Sequence, residues 1–241
     1  MAGARHGPDP ALTQVRSRPQ ITGLLGGSFN PAHGGHRRIT LFAAEALGLD
    51  ETWWLVSPGN PLKPQDDMGS LKARLRSAEQ QARRAAIVPS AIELDLDTRY
   101  TVDTLARLVR RYPKRRFVWL MGADNLAQFH LWKGWRRIAR TMPIAVIARP
   151  GYDATAMTSP AMAWLRRYRT PVASFRKRGQ WSAPALVLLR FDPDHRSATA
   201  IRRANAGWAE TLLGQDRHSV KRDTPLRDRL TFRSIRSWED A

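Results

Sequence analysis

Short apolar runs alternate along this chain with longer stretches in which apolar residues recur every three or four positions. Residues 21–27, 52–57, 117–121 and 144–148 read as buried strands, and 185–191 as a late one. A further strand is expected at 86–89 or at 92–96, each a weaker signal. Helical spacing predicts helices near 34–48, 70–84, 101–111, 132–140 and 199–212. The first puts Ile39, Phe42, Ala43, Ala46 and Leu47 on one face; the third does the same with Val102, Leu105, Ala106 and Val109. Apolar strands separated by amphipathic helices predict an α/β fold, a Rossmann-like doubly wound and mostly parallel sheet with helices on both faces. Such sheets bind ligands outside the carboxyl ends of their strands, at the switch point of the strand order. Residues 151–183, with Gly151, Pro160 and Pro171, read as irregular: a helix near 160–168 and a basic connection.

The turn after the first strand carries the sharpest chemical signal. Gly26-Gly27-Ser28-Phe29-Asn30-Pro31-Ala32-His33-Gly34-Gly35-His36 joins that strand to the first helix. Gly26 and Gly27 let the backbone approach a ligand with its N–H groups presented. The helix N-terminus adds partial positive charge. His33 and His36, three positions apart, fall on one helical face and can donate to phosphoryl oxygens. Histidines at a helix start can equally be plain caps, but strand, turn and helix start together favour a phosphate site.

Further segments add to this one. Ser197-Ala198-Thr199-Ala200-Ile201-Arg202 follows the late strand, with hydroxyls suited to cap a helix and an arginine suited to phosphate. A strand runs into Gly122-Ala123-Asp124, where an acid beyond a strand end can accept from ribose hydroxyls or cap the next helix. Thr101 and Thr104 open the third helix and could cap it. Trp132, in Phe129-His130-Leu131-Trp132, reads by itself as a packing residue.

The turn resembles the signature of the HxGH nucleotidylyltransferases, and its form Gly-Gly-Ser-Phe-Asn-Pro-x-His-x-Gly-His is especially similar to bacterial nicotinate-nucleotide adenylyltransferases. Residues 197–202 resemble the family's second signature, Ile-Ser-Ser-Thr-x-Ile-Arg, with Arg196 and Ala198 departing from it. The segment from Gly122 to Trp132 and the loop Pro58 to Pro64 are similar to further family segments, although Leu62 stands where a histidine is common. The likeness runs in order from Ile21 to Arg202. It implies adenylyl transfer from ATP to nicotinate mononucleotide in NAD biosynthesis. It also implies that His33, His36 and Arg202 carry the catalysis. ATP would meet Gly27, Ser28, Phe29, His33, His36, Gly122, Asp124, Ser197, Thr199 and Arg202, and the mononucleotide Lys63, Thr101 and Trp132, with Trp132 stacked on the pyridine ring. A Mg²⁺ ion is expected to be held by the ATP phosphates and water, with no protein metal ligands, because no carboxylate cluster lies near the motif.

Composition limits the rest. The 241 residues suit one domain, expected over 21–212, with a disordered leader over 1–20 broken by Pro8, Pro10 and Pro19 and a polar tail over 213–241. Cysteine is absent, so disulfides, thiolate zinc sites and cysteine nucleophiles are excluded. No apolar run approaches membrane-spanning length and the leader lacks an apolar signal core, so a cytoplasmic protein without a membrane partner is expected. Taking +2 for the leader and +2 for the tail from the net charge of +19 leaves +15 on residues 21–210. That surplus fits steering of polyanionic substrates. It also keeps a second class open, a basic nucleic-acid-binding module, although nucleic acid is not expected. Nicotinamide mononucleotide or another phosphate acceptor, and a homo-oligomer, are likewise left open.

Overall fold

The computed structural model describes residues 19–59, 68–148, 153–177, 182–191, 198–218 and 227–233. The strands are β1 (Gln20–Gly27), β2 (Glu51–Val56), β3 (Ile87–Ser90), β4 (Arg115–Gly122), β5 (Ile144–Ala148) and β6 (Leu186–Arg190). The helices are α1 (Gly34–Leu47), α2 (Leu71–Ala82), α3 (Ile92–Asp95), α4 (Thr101–Arg111), α5 (Ala123–Gln128), α6 (Trp135–Thr141), α7 (Asp153–Thr158), α8 (Pro160–Leu165), α9 (Val172–Arg176), α10 (Ala198–Ala204) and α11 (Trp208–His218).

The six strands form one sheet in the order β3-β2-β1-β4-β5-β6, every pair parallel. This is the doubly wound, Rossmann-like arrangement that the alternation of elements predicts. Its switch point lies between β1 and β4. Both faces are covered. Leu24, Trp53, Trp119 and Val146 face one apolar core with Leu105 and Phe129. Leu25, Trp54, Leu120 and Ala145 face the other with Ile39, Ala43 and Leu75. Alternation along each strand sends neighbours such as Trp53 and Trp54 to opposite faces.

Four expectations are corrected. Residues 92–96 are not a strand: Ser90 Oγ accepts the amide of Ile92 at 3.0 Å, and the chain turns into α3. The helix expected from 132 starts at Trp135, because Gly134 stands at its N-cap with φ of 62°, a left-handed conformation that suits glycine. The helix expected over 199–212 is two, α10 and α11, broken at Asn205–Gly207 so that Trp208 can bury its ring. Among the described residues of 151–183 lie three short α-helices, α7, α8 and α9, where irregular chain with one helix is expected.

Part of the segment after 213 is also ordered against the domain. The buried Asp228 carboxylate accepts from Ser90 Oγ, at 2.8 and 2.9 Å, and from the Ala91 amide at 2.6 Å. It also accepts from the amides of Leu230 and Thr231, and Arg233 pairs with Asp95. The expected leader, residues 1–18 of it, lies outside the described residues. Among the described residues no helix is long and apolar enough to cross a membrane.

Candidate active site

The loop from Gly27 to His33 leaves the carboxyl end of β1 at the switch point. Gly26 serves packing there more than ligand approach: a Cβ on it would lie 2.6 Å from Trp119 Cη2. Ser28 and Phe29 follow, and Phe29 holds φ of 48°, which costs a non-glycine residue about 1–2 kcal/mol. Its buried ring stacks on Trp54, with centroids 5.0 Å apart and planes at 19°, and lies 5.0 Å from the His36 ring.

His33 is the N-cap of α1, with His36 three residues on. His33 Nδ1 accepts the Gly35 amide at 3.1 Å, and His36 Nδ1 accepts the His33 amide at 3.2 Å. The two histidines therefore form a reciprocal capping box, a role usually taken by Ser or Thr with Glu. The hydrogen-bond pattern sets the tautomer: a neutral ring that accepts at Nδ1 carries its hydrogen on Nε2. Both rings, 4.0 Å apart, thus become Nε2–H donors at a helix start. Capping occupies only Nδ1 of each ring, so it does not compete with phosphate binding through Nε2, the alternative reading of the sequence.

Arg202, on α10, donates from Nη1 to the carbonyl of Asn30 at 2.7 Å. This bond brings the second signature to the first across the whole length of the domain. Thr199 stands exposed in the first turn of the same helix. Ser197 and Lys63 lie outside the described residues.

At the end of β4, Leu120 pairs with Leu25 of β1. Carried two residues further, that register brings Gly122 level with Gly27. The Asp124 side chain is exposed and folds back over Gly122, where a Cβ would lie 2.3 Å from Asp124 Oδ1. Asp124 does not cap α5, whose N-cap Gly122 has no side-chain bond. Thr101 begins α4 without capping it, since Tyr100 is the N-cap and makes no side-chain cap bond. Thr104 is turned inward, its hydroxyl 2.8 Å from Thr98 Oγ1 and 3.4 Å from Glu93 Oε1. Trp132 is half-buried and packs edge-on against Phe129 and Trp119, at 5.4 and 6.3 Å. The structure thus gathers Gly27, Ser28, Phe29, His33, His36 and Arg202 at one loop. Thr101 and Trp132 lie on other elements, with no described bond to that loop.

Two buried charged residues near the strand ends escape a motif reading. One is Arg74 on α2. The other is Glu93 on α3, whose carboxyl is pushed up to about 7 by burial, against the pull of the Ser57 and Thr104 hydroxyls. Neither sits in a spacing that announces chemistry; the only signal is a charge on the apolar face of a helix.

Glu93 makes stability depend on pH. Its carboxyl binds a proton more tightly folded than unfolded, so the folded state loses stability as pH rises from about 4.5 to about 7 and stays lower above that. Glu93→Gln keeps an acceptor for Thr104 and removes the charge. Thermal melts should show the variant gaining on the parent as pH rises through that window, by on the order of 2–3 kcal/mol at pH 8. A gap that does not change between pH 4.5 and 8 would contradict the assignment.

The cytidylyltransferase-like family model matches residues 24–204, from β1 through α10. The chain belongs to this family. Within it, the chain is 68% identical over 214 residues, 89% of its own length and 94% of the other's, to a protein of Erythrobacter litoralis named "Probable nicotinate-nucleotide adenylyltransferase". It is 52% identical over 187 residues, 78% of its length and 92% of the other's, to a Parvibaculum lavamentivorans protein of the same name. In fold it is similar to the Plasmodium falciparum nicotinic acid mononucleotide adenylyltransferase complexed with NaAD, with a TM-score of 0.54 and 15% identity, covering 76% of this chain and 83% of that one. The family match begins within β1 and spans both segments that Arg202 joins.

Proposed function

We propose that this chain transfers the adenylyl group of ATP to the phosphate of nicotinate mononucleotide, giving nicotinate adenine dinucleotide and pyrophosphate. The observation that carries the reading is the capping box of His33 and His36, which presents two Nε2–H donors beside a loop that Arg202 also holds. The names of relatives up to 68% identical support the choice of acceptor.

A phosphate oxygen of the mononucleotide attacks the α-phosphorus of ATP. The bond from that phosphorus to the bridging oxygen breaks, and pyrophosphate leaves with the electron pair. The attacking phosphate is already ionised, so the protein needs no nucleophile of its own and acts by positioning and charge stabilisation. His33 and His36 donate to the triphosphate, with His36 at the α-phosphate where charge develops. Arg202 and Thr199 receive the leaving pyrophosphate, and Ser197 is assigned to the same group as a further donor. Gly27, Ser28 and Phe29 line the triphosphate with backbone, and Gly122 and Asp124 hold the adenosine. Lys63, Thr101 and Trp132 take the mononucleotide.

ATP enters as its magnesium complex. The donors at the loop are imidazoles and a guanidinium, which do not suit a hard cation. The ion therefore fits the substrate's phosphates better than a protein cage. The reaction is assigned to the cytoplasm.

Pyrophosphate release with ATP and Mg²⁺ tests the reading, with nicotinate mononucleotide, nicotinamide mononucleotide and phosphopantetheine compared as acceptors. Turnover confined to the nicotinate form is expected; preference for another acceptor overturns the substrate assignment and keeps the phosphate chemistry. Trp132 adds a sharper check. Trp132→Phe should raise KM for the mononucleotide a few-fold and Trp132→Ala by about tenfold or more, with KM for ATP little changed, as suits a stacking contact of about 1–2 kcal/mol. An effect confined to ATP would remove Trp132 from the nicotinate side.

A further inference from the structure

Two buried polar side chains one helical turn apart on α2 grip the phosphate loop at both ends. Arg74, 1% exposed, reaches four backbone carbonyls with its guanidinium: Nη1 to Ser28 at 2.9 Å and Ser57 at 2.6 Å, Nη2 to Pro58 at 3.1 Å, and Nε to Gly69 at 2.8 Å. Ser77, 5% exposed, accepts the Ala32 amide at 3.0 Å and donates to the Arg74 carbonyl at 2.7 Å. Ser28 and Ala32 bracket the strained Phe29, and Ala32 directly precedes the cap His33.

The same helix is tied to what lies on either side of the loop. Arg37 of α1 donates to the carbonyls of Gln81 and Arg83 at the end of α2, at 2.6 and 2.9 Å. Asn30 Oδ1 accepts the Gly69 amide at 3.0 Å, while its carbonyl accepts from Arg202. Gly69 cannot be larger, since a Cβ there would lie 2.6 Å from Trp208. Through Asn30 and Gly69, the Arg74 clamp therefore connects the loop after β1, the end of β2 and Arg202 in the last turn of α10.

A buried guanidinium is a costly way to fill space. Burial pushes Arg74 down to about 10, so it stays charged at neutral pH, and each of its partners is a neutral carbonyl. Packing alone would be served as well or better by Leu or Met. A planar fork with five donors can satisfy four carbonyls on three segments at once; a single ammonium cannot.

We propose that Arg74 and Ser77 are positioning residues for adenylyl transfer: from α2 they hold the backbone of residues 28–32, and through it the His33 and His36 capping box, in the geometry that receives the triphosphate, without touching either substrate. This rests on the adenylyl-transfer reading above. The strained backbone at Phe29 gives the clamp its purpose. Released from Ser28 and Ala32, the loop relaxes toward ordinary dihedral angles, and the two imidazoles lose the amides that fix their tautomers.

The test compares the parent with Arg74→Met, Arg74→Lys and Ser77→Ala, each checked for folding by circular dichroism and thermal melting. The readouts are steady-state kinetics, ¹⁵N NMR of the imidazoles, and affinity for inorganic triphosphate. Arg74→Met should lower kcat/KM for ATP by about 30–300-fold and Ser77→Ala by about 3–10-fold, the range expected when catalytic donors are displaced but not removed. KM for the mononucleotide should change less than about twofold, and Arg74→Lys should recover part of the loss. The His33 and His36 signals should move from a single Nε2–H tautomer to a mixture in both the Met and Ala variants. A merely structural role predicts lower melting temperatures with kcat, imidazole signals and triphosphate affinity of the folded fraction unchanged, and that result overturns the proposal. Should Arg74→Met fail to fold, Ser77→Ala and Arg74→Lys decide by the same readouts. If the parent transfers no adenylyl group, the functional reading fails, and the imidazole spectra with triphosphate affinity still decide whether α2 positions the loop.

Discussion

His36→Ala is expected to lower kcat by about 10²–10³-fold, the loss typical of removing one preorganised donor to developing charge. The reason lies in the two nitrogens of the ring. Nδ1 is committed to the His33 amide at 3.2 Å, so a neutral ring carries its hydrogen on Nε2, with the tautomer fixed in place. A donor that is already oriented needs no reorganisation as charge builds on the α-phosphate. Losing the cap also destabilises the start of α1, by about 1 kcal/mol. Turnover and melting temperature separate these two effects. His36→Asn, which can still accept the His33 amide, should restore most of the melting temperature and little of kcat. A folded His36→Ala protein with near-normal turnover would reduce His36 to a helix cap.

The largest expected effect on stability falls far from any motif. Asp228→Ala should cost about 2–4 kcal/mol and lower the melting temperature by several degrees. The substitution strips acceptors from the Ser90 hydroxyl and from the Ala91, Leu230 and Thr231 amides, and the first two are buried. Asp228→Asn keeps one acceptor oxygen and should fall between. Denaturant or thermal unfolding of the three proteins measures the order. Because α3 and the approach to Thr101 start from the clamped Ser90 and Ala91, the Ala variant should also raise KM for the mononucleotide before it affects KM for ATP. Melting within a degree of the parent would show that residues 227–233 dock without contributing.

Different parts of the molecule were legible to different degrees. The strands at 21–27 and 144–148 can be read directly, because a strand buried on both faces is a continuous apolar run that little else produces. Residues 92–96, Ile-Glu-Leu-Asp-Leu, alternate apolar and acidic as a half-buried strand does, yet Ile92–Asp95 is helical, because a hydroxyl at Ser90 and a carboxylate 138 residues away turn the backbone there. The break between α10 and α11 is similarly hidden: Trp208 fits a helical stripe, but its ring is needed against Gly69.

The sequence by itself determined the parallel α/β class, the glycine-rich turn, and the two histidines at a helix start. Each of these rests on neighbours within a few residues, where periodicity and backbone chemistry act directly. Tertiary structure alone decided that Arg202 meets Asn30, and that Arg74, Glu93 and Asp228 lie buried. Those outcomes depend on segments brought together from distant parts of the chain, and a buried charge is settled only by the partners that the fold supplies.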